Sequence, residues 1–244
     1  MRNVTKPSAI PTVLTDSDAQ KHFDNILKNK KVTETDCKIY RKVKEQLLTS
    51  YNNKCCYCES ELSGAEIEHY RPKSDYYWLV YSWDNLMPIC SHCNKNKGSN
   101  FKISSKTKTK IAGIKDVLTA QGNIDAYNAI EKPKLLNPEK DKIKENTFIF
   151  DDEGKIKSNQ PKNKRISFTI DLLKLNRSEL LAQRKKLFDD LIEKMNSIET
   201  DTLVINLENE KKRILIELVK NAYNLKNSHI ALRNFLIEYY KKVI

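Results

Sequence analysis

The sequence predicts an α+β fold that is mostly helical. A small zinc-braced core is flanked by N-terminal helices and a C-terminal helical region. Three observations lead there. The 244 residues include only 5 glycines and 7 prolines, too few for a sandwich of many tight turns. Apolar residues recur at helical spacing in the first fifty residues and again from about residue 164 onward. Between those stretches stand two C-x-x-C pairs in a segment rich in aromatic residues.

The spacing divides the chain into 1–52 (extended start and helices), 53–115 (cysteine-rich core), 116–160 (irregular connection) and 161–244 (helical). Residues 1–15, with Pro7 and Pro11, read as extended. A helix is expected from Asp16, a capping residue, to Lys28, with Phe23, Ile26 and Leu27 on one face. A second helix should run from Thr35 or Asp36 to Tyr51, carried by Ile39, Val43 and Leu47, and Asn52-Asn53 should break it. Residues 102–110, KISSKTKTK, read as basic, low-complexity and mobile. Residues 111–160 look irregular, with a turn signal at Gly122-Asn123. Within them, Thr147–Phe150, Asp152-Glu153-Gly154 and Lys155-Ile156 form a short hairpin pattern. The C-terminal region carries apolar stripes at Leu180, Leu187, Leu191 and Ile198, then at Ile205, Ile214, Leu218 and Leu225. A last stripe comprises Leu232, Leu236, Tyr239 and Val243. Helix packing is their ordinary purpose.

The formal net charge is +12, and its distribution says more than its size. No acidic residue occurs between Asp84 and Asp116, while seven lysines fall there: Lys95, Lys97, Lys102, Lys106, Lys108, Lys110 and Lys115. Such local asymmetry suits a polyanionic partner. No apolar run is long enough to span a bilayer, and the start Met1-Arg2-Asn3-Val4 has no apolar stretch of the kind a secretory signal needs. A cytoplasmic location and no membrane partner are therefore expected.

Cys55-x-x-Cys58 and Cys90-x-x-Cys93 have the spacing of a structural four-thiolate zinc site, with no open coordination position. The 31 residues between the pairs exceed the common zinc-ribbon spacing, so other chemistry is expected inside the gap. Cys37 reads as a small core residue, and Cys56 competes with Cys55 for register.

The gap holds Ile67-Glu68-His69-Tyr70-Arg71-Pro72-Lys73-Ser74 and then Trp83-Asp84-Asn85-Leu86, while Asn94 and Lys97 follow the second pair. A neutral imidazole takes a proton from water near pH 7, and carboxylate and amide oxygens suit a hard divalent cation. The ordered pattern resembles the zinc-braced HNH (ββα-metal) endonuclease motif over residues 55 to about 97. The resemblance makes His69 the general base, Asn85 the residue that fixes the loop orienting it, and Glu68 with Asn94 the ligands of a catalytic Mg²⁺ or Mn²⁺. Asparagine stands at position 94 where the namesake has histidine, and glutamate at 68 where aspartate is commoner. Adjacent Glu68 and His69 would face opposite ways on a regular strand, so the strand must bend there. Arg71, Lys73, His92, Lys95 and Lys97 flank the motif and are expected to meet nucleic acid.

A wider likeness covers Leu135-Leu136-Asn137-Pro138 and Thr169-Ile170-x₅-Asn176-Arg177. With the IEHYRPKS run it resembles the HNH subunit of Septu anti-phage systems and of some retrons. That resemblance implies a defence nuclease with an ABC/SMC-like ATPase partner. The expected activity is hydrolysis of DNA phosphodiester bonds. An RNA (tRNA) nuclease and a non-catalytic zinc module that binds nucleic acid or a partner are the alternatives.

Overall fold

A computed structural model describes residues 1–109, 124–144, 147–201, 204–224 and 229–243. Lys110, Lys115, the Gly122-Asn123 turn signal and Leu225 lie outside the described residues, as do the side chains of Ile198, Ile205 and Val243. Two compact units emerge. One holds Asn3–Tyr57 and Glu61–Lys142, and the other Met1–Arg2, Cys58–Ser60 and Ile143–Ile244.

In the first unit, α1 spans Ser17–Asn29 and starts as its sequence dictates, with the Asp16 carboxylate accepting from Ala19 N at 2.8 Å. Phe23 and Ile26 are buried on its inner face. The single helix expected next is two helices, α2 (Glu34–Arg41) and α3 (Lys44–Ser50). Thr33 and Asp36 cap α2 reciprocally. The break follows from tightened bonding: Lys42 N donates to Ile39 O at 3.1 Å and Val43 N to Tyr40 O at 3.2 Å, three residues back instead of four. Val43, fully buried, anchors the corner. Asn52 and Asn53 end α3 in left-handed conformations, φ 52° and 56°. Asn53 N reaches back to Leu48 O at 2.9 Å and Asn52 N to Thr49 O at 3.1 Å.

Strand β1 (Glu66–His69) pairs antiparallel with β2 (Leu86–Ile89), in the register Glu66↔Ile89, Glu68↔Met87 and His69↔Leu86. Helix α4 (Ser91–Lys97) follows β2 directly, which completes a ββα unit. Single 3₁₀ turns at Tyr77–Leu79 and Trp83–Asn85 shape the β1–β2 connection. Leu79, Tyr81 and Trp83 of this connection join Phe23, Ile26 and Leu47 in one core.

Two expectations need correcting here. The basic segment 102–109 is tied down: Ile103 bridges Pro133, and Thr109 N donates to Glu131 Oε1 at 2.8 Å. The stretch read as irregular contains helix α5 (Ile124–Glu131), whose eight residues span too few turns for a helical period to register.

In the second unit, β3 (Phe148–Phe150) and β4 (Ile156–Ser158) form the expected hairpin. Its turn needs Gly154: φ is 75°, and an added Cβ would lie 2.7 Å from Arg184 Cβ. Helices α6 (Lys164–Leu172), α7 (Ser178–Asp201), α8 (Val204–Tyr223) and α9 (Ile230–Val243) follow. Leu180, Leu191, Ile214, Leu232 and Leu236 are buried, as their spacing predicts. Among the described residues no helix is long and apolar enough to cross a membrane.

His229 is buried in this unit, and its Nε2–H donates to Gln183 Oε1 at 3.0 Å. Burial, then the Arg184 charge, lowers its pKa to about 4, against opposing pulls from Glu59 and Cys58. The unfolded chain therefore takes up a proton near pH 6.5 that the folded chain refuses until about pH 4. Stability from this group is complete above pH 6.5 and drains away on acidification, by up to roughly 3 kcal/mol. Denaturant titrations from pH 7 to 4.5 should show a shallower acid loss for His229→Gln than for the parent chain; equal slopes would contradict this.

Candidate active site

The two cysteine turns converge. The sulfurs of Cys55, Cys58, Cys90 and Cys93 all lie within 4.8 Å of one another. A zinc tetrahedron with Zn–S bonds of about 2.3 Å has edges of roughly 3.8 Å, so modest closure on an ion would satisfy it. Cys90 also caps α4, its sulfur accepting from Cys93 N at 3.4 Å. Cys56 stays outside the cluster, and its N–H donates to Pro88 O at 2.9 Å, which ties the first turn to β2.

His69 closes β1. Its Nε2 lies 3.0 Å from the Val80 carbonyl. A carbonyl only accepts, so Nε2 carries the proton and Nδ1 keeps the lone pair. The Tyr40 ring meets the imidazole edge-on, with centroids 4.7 Å apart. Burial, with the Lys73 and Lys97 charges, lowers the His69 pKa to about 3 against the opposing Val80 bond, so the ring is neutral at physiological pH.

Asn85, fully buried, sets this geometry. Its Oδ1 accepts from Arg71 N at 2.8 Å, and its Nδ2 donates to Arg71 O at 3.1 Å and Leu79 O at 3.3 Å. One amide thus locks the backbone leaving His69 to the turn that presents Val80.

Although only 6% exposed, His69 borders a cavity of about 600 Å³ that Glu66, Glu68 and Asn94 also line. Glu68 is buried and ion-paired to Lys97, whose Nζ also donates to His69 O at 3.0 Å. Burial pushes the Glu68 carboxyl up, Lys97 pulls it down, and Glu66 adds to the upward push. Asn94 donates its Nδ2 to Glu66, which leaves its amide oxygen for a cation. Two carboxylates and an amide oxygen form a hard donor set that fits Mg²⁺ or Mn²⁺. The structure thus gathers Glu68, His69 and Asn94 at one cavity and adds Glu66, which the sequence reading passed over. Its signal was there: residues two apart on a strand share a face.

Comparison with known proteins agrees with this geometry. Residues 55–100 match the family model for HNH endonuclease. Over 218 residues, 81% of this chain and 68% of the relative, the chain is 30% identical to Septu protein PtuB of Bacillus mycoides (strain KBAB4). The chain belongs to the Septu PtuB family. A Septu protein PtuB of Bacillus thuringiensis is 45% identical over 98 residues, 38% of this chain and 36% of that one. A protein named Septu protein PtuA, from the same Bacillus mycoides strain, is 27% identical over 156 residues, 57% of this chain and 20% of its own length.

For this PtuB-family chain, two expected phosphate contacts need correcting. Arg71 is fully buried. Its Nε and Nη2 each lie 2.8 Å from Glu131 Oε2, and Nη2 donates to Asn128 Oδ1 at 2.9 Å. Rings of Tyr70, Tyr76, Phe101 and Tyr127 surround the guanidinium at 5.2 to 5.8 Å. Lys97 is likewise turned inward, onto Glu68. A charge inside a protein must be paired, and both cations meet that need within the fold. Lys73 does reach the cavity, half-buried, with Nζ donating to Tyr40 Oη at 3.0 Å and Cys37 Sγ at 3.2 Å. His92 and Lys95 are exposed on α4. Tyr40, Arg41 and Lys44, which the sequence reading left out of the site, also line the cavity.

Arg71→Met should leave Glu131 buried without its cation and cost about 3–5 kcal/mol in urea unfolding. An exposed phosphate contact would cost less than roughly 0.5 kcal/mol, and that smaller value would overturn the structural assignment of Arg71.

Proposed function

We propose that the chain is a metal-dependent HNH endonuclease that hydrolyses DNA phosphodiester bonds in the cytoplasm, as the effector of an anti-phage system with an ATPase partner. One observation carries the catalytic reading. An imidazole fixed in a single tautomer shares a cavity with two carboxylates and an amide oxygen. In this reading His69 Nδ1 takes the proton of a water that attacks phosphorus in line. The growing imidazolium charge is met by the Val80 carbonyl that already accepts from Nε2. Asn85 keeps that carbonyl in place through the Leu79 and Arg71 backbone. Glu68 and Asn94, with Glu66 beside them, hold the divalent cation. When bound, that cation supplies charge to the phosphoryl and departing 3′ oxygens. The products are a 5′-phosphate and a 3′-hydroxyl.

The four cysteines hold a structural Zn²⁺, because their closed thiolate shell offers no place for substrate. The net charge of +12 supports a nucleic-acid substrate. Similarity to chains named PtuB and PtuA supports a second Septu component as partner. The sequence resemblance to Septu and retron nuclease subunits supports an ABC/SMC-like ATPase as that partner.

Purified protein, alone and with that partner, should cut DNA with Mg²⁺ or Mn²⁺ and not with EDTA. His69→Ala should lose about 10²–10⁴-fold in rate or more, while zinc content and circular dichroism stay unchanged. Undiminished cutting by that variant would remove His69 from the mechanism. Parallel incubation with RNA decides the substrate: cutting of RNA alone would overturn the DNA assignment.

A further inference from the structure

The donors for a cation come from β1 and α4, inside the segment that matches the HNH family. Three cationic side chains line the same cavity, and two come from outside that segment. Arg41 closes α2 and Lys44 opens α3, while Lys73 lies in the loop after β1. The break at Lys42–Val43 lets both helices contribute to one wall.

Their partners differ in a telling way. Lys73 is pinned by Tyr40 Oη and Cys37 Sγ, which leaves a third ammonium proton to give. Tyr40 contacts both working groups, the His69 ring by its edge and Lys73 by its hydroxyl. Arg41 pairs with the exposed Glu34 at 2.5 Å, a surface contact that a phosphate can displace. The Lys44 side chain, half-buried, has no hydrogen bond or ion pair among the described residues. An uncommitted ammonium beside Arg41 and Lys73 on the same cavity gives that wall a positive edge suited to an anion.

We propose that the N-terminal helices complete the active site as a phosphate clamp. Arg41 and Lys44 hold backbone phosphates next to the scissile bond, and Tyr40 positions Lys73 for the same task. The ligand class is the sugar-phosphate backbone of nucleic acid. The proposal rests on the nuclease reading for the word scissile, but its binding half stands apart from catalysis.

The test uses the full chain in two assays. Binding to a fluorescent 20-mer duplex is measured in Ca²⁺ at several salt concentrations, in the His69→Ala background. Each phosphate contact contributes about 0.9 to the slope of log affinity against log salt, so Arg41→Ala with Lys44→Ala should flatten it by about 1.8. Charge-keeping Arg41→Lys and Lys44→Arg should restore it. In Mn²⁺-dependent cleavage the double alanine variant should raise KM with kcat little changed. Tyr40→Phe keeps the ring against His69 and loses only the hydroxyl, so it too should raise KM. An unchanged slope and KM in a chain that still cuts would overturn the clamp and spare the nuclease. A clamp-dependent slope in a wild-type chain that never cuts, with or without partner, would keep the clamp and sink the nuclease. A wild-type chain that binds no duplex at all would overturn the clamp.

Discussion

The β1–β2 register is the constraint on which the site depends. Pairing His69 with Leu86 and Glu68 with Met87 sets which groups reach the cavity. A slip of one residue would exchange the faces of every side chain on β1. Two devices at the strand ends prevent that. On one side, Asn85 grips both the N–H and the C=O of Arg71, two residues past His69. On the other, β2 runs into Cys90, whose sulfur gathers with those of Cys55, Cys58 and Cys93. Sulfur chemistry and a single buried amide thus act on opposite ends of a four-residue strand too short to hold its own register.

Burial governs the charged groups. The cluster of cations around the motif looks from the sequence like a uniform phosphate-binding surface. In the folded chain its members divide: His92 and Lys95 stay exposed on α4, and the others do not. Arg71 spends its charge on Glu131 amid four aromatic rings. Lys97 spends its own on Glu68 and the His69 carbonyl. Lys73 faces the cavity with donors to spare. Sequence proximity to a motif gives the charge, and only three-dimensional burial tells whether that charge has already been used.

Much of the fold could be read directly, because it is written in local chemistry. The Asp16 cap, the Asn52-Asn53 stop and the Gly154 hairpin turn each rest on residues that have few alternatives. The cysteine spacing foretold a converging cluster for the same reason. Other features depended on packing and were hidden. The corner at Lys42–Val43 interrupts an unbroken apolar stripe, and nothing in Ile39, Val43 and Leu47 announces it. Helix α5 is held by Glu131 and Ile124 reaching the interior, contacts made by residues distant in sequence. Glu66 stands outside the linear motif, three residues before His69, and only strand periodicity puts it on one face with Glu68.

The corner between α2 and α3 connects these points. On an uninterrupted helix Arg41 and Lys44, three residues apart, would stand about 60° apart on one face and point along a single direction. Tightening the turn redirects the chain within two residues, so the end of one helix and the start of the next both border the site. Burial of Val43 at the bend supplies the apolar contact that holds the redirection. The ββα unit itself lines the cavity from β1 and α4. Borrowing a wall from preceding helices enlarges the charged perimeter without touching the strand register. In the reading proposed above, base and phosphate grip come from different segments of the chain, joined through Tyr40, which touches both His69 and Lys73.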